Sequence, residues 1–424
     1  MEQTAQVEEL LAAPAPAPGF VAPQYGGRGI ANIAPTILRT FGLEAEHTAF
    51  DPAALPPALT AGVRRMVCLV VDALGYRQLL HELDRQPDLF LGRLVRGEAG
   101  AHCAALTSVF PSTTVNALTT MNTGAYPAEH GILGYTLYLQ ELGAVSEMIR
   151  FGPYAGEWTY AEAGVDPVAF LGVPPIYGRL REEAGVAAHM VNFVGFKTTA
   201  LTRMHATGAH YVSYLSASDM AVHIRQLLEA PGDDRVFVSA YYGVLDNICH
   251  GYGAGSPEHA AEVAALDGVL RREVFERVRR PDTLFVLLAD HGHVNCTPER
   301  TIDLLEHPAL LRDLVVGPTG EGRARYLHAR HGRKEAVRDY VTTHFGAIST
   351  LLDSEDALAR GLFGPAEPSP RARERIGDFV LLPHENWYFH WYPTARQKPM
   401  RLIGRHGGLT PEEMLVPLIA LRLD

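Results

Sequence analysis

Met66-Val-Cys-Leu-Val-Val-Asp72 is a run of six apolar residues closed by a carboxylate. A half-exposed strand would alternate polar and apolar residues, whereas a short continuous apolar run suits a strand buried on both faces of a parallel sheet. The pattern returns at Arg235-Val-Phe-Val-Ser-Ala-Tyr-Tyr242, followed by Asp246, and at Leu284-Phe-Val-Leu-Leu-Ala289, followed by Asp290. Three strands thus deliver three aspartates. In open α/β sheets the ligand crevice lies beyond the carboxyl ends of the strands, so these acids are expected to meet in one place.

The chain around these strands has 424 residues, 47% hydrophobic and 20% charged, enough for a large buried core and for two or three domains. Acidic residues number 48 against 37 basic ones, a net charge of −11, which disfavours duplex nucleic acid as a partner. A small phosphorylated substrate stays compatible, because bound metal ions can reverse the local charge. Cys68, Cys103, Cys249 and Cys296 show no CxxC spacing, so reduced thiols are the simplest reading. The N-terminus lacks a basic region followed by a sustained apolar one, and no later stretch has the apolar length of a membrane span. A soluble, cytoplasmic protein is expected, with no membrane partner. Oligomeric state is not legible.

The Ala-Pro repeat from Ala12 to Gly19 breaks helix and strand alike, so residues 1–24 read as a flexible N-terminal arm. Tyr25-Gly-Gly-Arg-Gly-Ile30 lacks the G-x-G-x-x-G spacing of a nucleotide loop and reads as a turn into the helix-like Ile33 to Phe41. After Asp290, the strand-like Arg325-Tyr-Leu-His-Ala, the helix-like Lys334 to His344 and the strand-like Phe379-Val-Leu-Leu suggest a small inserted α/β subdomain at 305–395 that caps the cleft. Residues 25–304 and 396–424 would form the catalytic core.

Asp246-Asn-Ile-Cys-His250 sets a carboxylate and an imidazole four residues apart, on one side of a helical turn, where both can bind one metal. Asp290-His291-Gly292-His293 places ionisable groups at the end of an apolar strand, costly to bury unless paired or metal-bound. In Phe110-Pro-Ser-Thr-Thr114-Val-Asn-Ala-Leu, a proline and small hydroxyl residues precede a helix-like stretch. Exposed N–H groups at a helix start favour both an alkoxide and a bound phosphate. The plainer alternative is a helix cap.

Taken in order, the Asp72 strand end, Pro-Ser-x-Thr followed by Thr-Gly-x-Tyr-Pro-x-x-His-Gly131, Asp246…His250, Asp290-His291-Gly and His406-Gly-Gly resemble the type I phosphodiesterase/nucleotide pyrophosphatase branch of the alkaline phosphatase superfamily. The resemblance covers about residues 25 to 424. It implies an alkaline-phosphatase-like, mostly parallel sheet flanked by helices, and metal-dependent hydrolysis of phosphodiesters or nucleotide pyrophosphates through a phosphothreonine-type intermediate. It further implies Thr114 as nucleophile, bound to one metal with Asp72, Asp290 and His291, and Asp246, His250 and His406 around a second. Two divalent ions follow, with zinc expected from the mixed carboxylate and imidazole donors and manganese or iron also compatible. His130 and Gly131 belong to the signature as structural residues.

The sequence departs from the family at one substrate contact. Ala117 stands where the resemblance implies an asparagine that holds a phosphoryl oxygen, and Asn116, one residue early, is the candidate replacement. Trp387-Tyr-Phe-His-Trp-Tyr392 can stack on a base or pack a strand, and Lys197, Arg203, Arg323 and Arg325 are candidate charge contacts. The Cys/Ser-x-Pro-x-Arg motif of sulfatases is not matched. A phosphonoacetate hydrolase or a phosphomonoesterase on the same scaffold is the alternative activity. A non-catalytic metal-binding interaction protein is the alternative class, and it would be expected to have lost a ligand or the nucleophile.

Overall fold

The computed structural model describes residues 2–232, 234–392 and 402–424. Its central sheet has seven strands: β1 (Arg65–Val71), β2 (His102–Thr107), β3 (Val186–Phe193), β4 (His210–Tyr214), β5 (Arg235–Tyr242), β6 (Arg280–Leu288) and β7 (Leu415–Leu423). Their order across the sheet is β2-β7-β6-β1-β5-β3-β4. The run from β6 to β4 is parallel throughout, and β7 is antiparallel to both of its neighbours. Every residue of β1 is buried, as its unbroken apolar run requires of a strand covered on both faces.

Helices flank this sheet. They include α1 (Glu2–Ala12), α2 (Ile33–Thr40), α3 (Thr114–Thr123) and α4 (Val244–Tyr252), of which α3 and α4 carry site residues. The register between β1 and β6 aligns Val70 with Leu288, so the chains leave the sheet with Asp72 beside Asp290. On the other side β5 pairs with β1 up to Val71 and Tyr242, and α4 begins two residues later with Asp246 in its first turn. Parallel register is thus what makes three strand ends converge.

A second, antiparallel sheet of seven strands differs from the compact insert expected at 305–395. It contains Ser349–Asp353, Phe379–Pro383, Ala324–Leu327 and Thr319–Glu321, and then continues into Thr136–Leu139, Ala144–Glu147 and Gly152–Pro153. The latter three come from the stretch assigned to the core. They are two to four residues long, too short for a periodic signal, and join the insert through the non-local pairing of Gly320 with Thr136. The expected boundary at 395/396 lies outside the described residues.

The flexible N-terminal arm is also corrected. α1 occupies Glu2–Ala12, Leu10, Phe20 and Val21 are buried, and the Val21 N–H donates to the Leu409 carbonyl at 2.7 Å. The prolines end the helix but do not prevent an extended chain from filling an apolar groove. All four cysteines are free and buried. Among the described residues no helix is long and apolar enough to cross a membrane.

The two sheets are tied by a buried ion pair. Arg323, in the turn between Thr319–Glu321 and Ala324–Leu327, reaches both oxygens of Glu413 at 3.0 and 2.8 Å, and both side chains are fully buried. Glu413 also accepts from the Gly408 N–H and the Thr410 hydroxyl, which shapes the loop behind His406. Removing one partner strands a buried charge. Glu413→Ala is therefore expected to lower the unfolding free energy by about 3–5 kcal/mol, measured by chemical denaturation; a change within about 0.5 kcal/mol would show that the pair carries no such weight.

Candidate active site

Thr114 is the first residue of α3, and Thr113 before it is extended. Its hydroxyl therefore sits at the positive end of the helix, beside first-turn N–H groups. The Thr114 Oγ1 lies 3.2 Å from Nε2 of His291. The same Nε2 is 3.3 Å from Asp72 Oδ1 and 3.5 Å from Asp290 Oδ2. Asp290 Oδ1 accepts from the backbone N–H groups of Ala73 and His291 at 3.2 and 3.0 Å, while the Tyr241 hydroxyl donates to Asp72 Oδ2. The inward-facing Asp72 Oδ1 and Asp290 Oδ2 are buried with no hydrogen-bond partner.

A second group adjoins the first. Asp246 Oδ2 is 3.4 Å from His250 Nε2, and Oδ1 is 2.7 Å from His293 Nε2 and 3.9 Å from His406 Nε2. The His406 ring stacks on His291 with centroids 3.9 Å apart. Candidate ligand atoms of Asp72, Asp290 and His291 lie within 4.8 Å of one another, and so do those of Asp246, His291, His293 and His406.

Three imidazoles are oriented alike. Nδ1 of His250 faces the Gly404 carbonyl at 2.8 Å, that of His291 the Gly292 carbonyl at 3.1 Å, and that of His406 the Ser112 carbonyl at 3.1 Å. Protonation at Nδ1 satisfies each carbonyl and leaves the Nε2 lone pair turned toward the carboxylates, the tautomer a metal requires. The loop at Gly292 packs closely against the Glu412 segment, where a Cβ would lie 2.1 Å from the Glu412 carbonyl oxygen.

The electrostatics point the same way. Burial, and then the neighbouring charges of Asp290 and Asp246, push the Asp72 carboxyl well above its ordinary range. Burial likewise raises Asp290 and drives His406 well below the usual imidazole value. Burial opposes the charge of Asp246 too, but the surrounding imidazoles of His250 and His293 outweigh it and hold that carboxyl low. Crowded buried carboxylates with orphaned oxygens, set among imidazoles, fit divalent cations, which would supply the missing positive charge.

Asp72, Thr114, Asp246, His250, Asp290, His291 and His406 are thus brought into one site. Asn116 is not. It is fully buried, its Nδ2 donates to the Pro111 carbonyl at 2.8 Å, and its Oδ1 is buried without a hydrogen-bond partner. Arg323 is spent on Glu413, and Arg325 donates to the Phe389 carbonyl. Arg203 lies 3.5 Å from Asp166 near the surface, and Lys197 is exposed. In the aromatic run, Phe389 and Trp391 pack into the small core of the second sheet. His130 is buried against Thr120 at 3.0 Å, with burial pushing its imidazole down to about 3, a structural position.

The residue that sequence reading left unassigned is His293. It is buried, and it faces Asp246 more closely than either His250 or His406 does. The signal was the His-Gly-His spacing after Asp290, but only the tertiary fold shows which carboxylate the second imidazole meets.

The family model for type I phosphodiesterase/nucleotide pyrophosphatase matches residues 66–409. The chain belongs to this family. It is accordingly a hydrolytic enzyme of the phosphodiesterase and pyrophosphatase kind, and all of the residues that the resemblance implied as ligands lie within the matched segment. No curated protein matches the sequence significantly. Among solved structures, murine ectonucleotide pyrophosphatase/phosphodiesterase 5 is similar with a TM-score of 0.61 at 17% identity, over 84% of this chain and 87% of that one. An inactive variant of that murine protein in complex with AMP gives 0.60 at 17% identity and the same coverages. Phosphonoacetate hydrolase from Sinorhizobium meliloti 1021, in complex with phosphonoformate, gives 0.60 at 21% identity, over 84% of this chain and 89% of that one. These likenesses establish the shared alkaline-phosphatase-like fold.

If His293 fixes the Asp246 carboxylate, His293→Ala should weaken divalent-metal binding by about 10- to 100-fold. Competition titration against a chelator reads this directly, and an unaltered affinity would remove His293 from the centre.

Proposed function

We propose that this enzyme hydrolyses phosphodiesters through a phosphothreonine intermediate on Thr114. The observation that carries the reading is the position of the Thr114 hydroxyl, at a helix N-terminus and 3.2 Å from the imidazole shared by both candidate ligand groups. Asp72, Asp290 and His291, with the Thr114 oxygen, would hold one divalent ion, and Asp246, His250 and His406 the other. Mixed carboxylate and imidazole donors favour zinc, with manganese or iron as alternatives. When bound, such ions supply positive charge that stabilises an alkoxide and the phosphoryl oxygens in the transition state.

The chain's own contribution is positioning. α3 would present Oγ1 of Thr114 to the ester phosphorus, and the N-terminal dipole favours the negative charge that develops there. The Thr114 hydroxyl gives up its proton to solvent, Oγ1 forms a bond to phosphorus as the bond to the leaving alcohol breaks, and that alcohol departs with a proton from solvent. Water then attacks phosphorus, the Oγ1–P bond breaks, and Thr114 recovers its proton. The orphaned oxygens of Asp72 and Asp290 and the Nδ1-anchored imidazoles form a donor set that needs little rearrangement between these steps.

The direct test compares p-nitrophenyl esters of a phosphodiester, a phosphomonoester and a phosphonate on zinc-loaded protein. The diester is expected to be turned over fastest, and Thr114→Ala to lower kcat by at least about a thousandfold while its metal content stays close to two equivalents. Removing the metals with a chelator should abolish turnover and adding zinc should restore it. Absence of metal-dependent turnover of any ester would overturn the reading, and a preferred monoester or phosphonate would replace its substrate class.

A further inference from the structure

Thr113 stands at the cap position of α3, where a threonine hydroxyl ordinarily accepts from a first-turn N–H group. Its backbone is extended as a cap residue's should be, yet its side chain makes no capping hydrogen bond. The hydroxyl is engaged elsewhere. Glu321, the half-buried last residue of the strand Thr319–Glu321, brings its carboxylate to the buried Thr113, whose hydroxyl favours the charged form as a hydrogen-bond donor does. Oε1 of the same carboxylate accepts from the Tyr135 N–H at 2.6 Å. Burial pushes the Glu321 carboxyl up, and the Tyr135 N–H, the Thr113 hydroxyl, Arg325 and His291 oppose that rise in turn.

Glu321 also packs against the loop that carries His406. A Cβ at Gly407 would lie 2.6 Å from the Glu321 Cβ, and the Gly407 φ of +114° is one that other residues rarely adopt. That loop is itself tied to the segment before α3. The Ser112 hydroxyl donates to the Gly408 carbonyl at 2.7 Å, and Nδ1 of His406 faces the Ser112 carbonyl at 3.1 Å. Residues 112–114, 406–408 and 319–321 therefore interlock beside the proposed nucleophile. The strand behind Glu321 is anchored in turn, since Gly320 pairs with Thr136 and its carbonyl accepts from the Thr136 hydroxyl at 2.8 Å. Thr114 follows Thr113 directly, so the anchorage of the Thr113 side chain bears on the rotation of the first turn and on the direction of Oγ1. Attack on phosphorus tolerates little error there, because a misplacement of about 1 Å can cost about a hundredfold in rate.

We propose that Glu321 is a positioning residue for the nucleophile: it draws the Thr113 hydroxyl away from the helix cap and, wedged against Gly407, sets the aim of Thr114 Oγ1 relative to His406. This rests on the reading of Thr114 as nucleophile given above. Glu321 acts through Thr113 and takes no part in making or breaking bonds.

The test is steady-state hydrolysis of the p-nitrophenyl phosphodiester by the zinc-loaded protein and three variants. Glu321→Ala is expected to lower kcat by about 30- to 100-fold, with KM changed less than about threefold and the metal content unaltered. Glu321→Gln keeps an acceptor oxygen for the Tyr135 N–H and the Thr113 hydroxyl, and should recover kcat to within about fivefold of the unsubstituted enzyme. Thr113→Val removes only the hydroxyl and should reproduce the loss, and the double variant with Glu321→Ala should be no slower than the slower single one. A kcat within about threefold of the unsubstituted enzyme in Glu321→Ala, no rescue by glutamine, or additive losses would overturn the proposal. If Glu321→Ala does not fold, Thr113→Val and Glu321→Gln decide by the same criteria. Should the unsubstituted protein turn over no ester, it is the hydrolase reading that fails, and Glu321 is then judged by calorimetry with orthovanadate, a five-coordinate mimic of the attacked phosphorus, and inorganic phosphate. Glu321→Ala weakening vanadate at least roughly tenfold more than phosphate supports the positioning role, and any smaller difference refutes it.

Discussion

Three carboxylates, Asp72, Asp246 and Asp290, are brought together in a buried site, and their mutual repulsion is the constraint around which the rest is arranged. Burying even one unpaired carboxylate is costly. The fold nevertheless leaves Asp72 Oδ1 and Asp290 Oδ2 without partners while satisfying their companion oxygens through Tyr241 and two backbone N–H groups. Such selective satisfaction fixes each carboxylate and keeps one oxygen available. It is the arrangement expected where cations, and not protons or arginines, complete the charge balance.

The same logic explains how the histidines are held. His250, His291 and His406 come from three separate parts of the chain, yet each turns Nδ1 to a nearby backbone carbonyl. Those carbonyls belong to close-packed loops at the strand ends, so the packing of the strand-end loops sets the tautomers. The pairing of Gly404–Arg405 with Val294–Asn295 brings the His406 loop against the residues that follow His293. The Arg323–Glu413 pair braces that loop from the second sheet. The second sheet therefore contributes to the centre through support of its loops, without supplying any of the seven residues implied as ligands or nucleophile.

Beside this centre, the cavity at Thr114 is lined by apolar side chains such as Ile33, Ile37, Leu118 and Met121 together with polar ones such as Asn192, Thr202 and Ser239, and by Asp72 and Asp246. Thr114 stands in the first turn of α3, so its hydroxyl meets the cluster of carboxylates and imidazoles while later turns of the same helix line the cavity.

By itself the sequence determined the doubly buried parallel strands, the three aspartates at or just beyond their ends, and a helix start at Thr114, because these follow from local apolar runs and from helix-start chemistry. The candidate ligand set was implied by the order of five motifs along the chain, through the family resemblance they carry. Tertiary structure alone decided what depends on contacts between distant segments. It tied the Asn116 amide to the Pro111 carbonyl, and it brought His293 to Asp246. It extended the second sheet into 136–153, and it packed the N-terminal segment into a groove despite its Ala-Pro run. A residue's type and spacing state which bonds it can make; only the packed fold states which partner lies within reach.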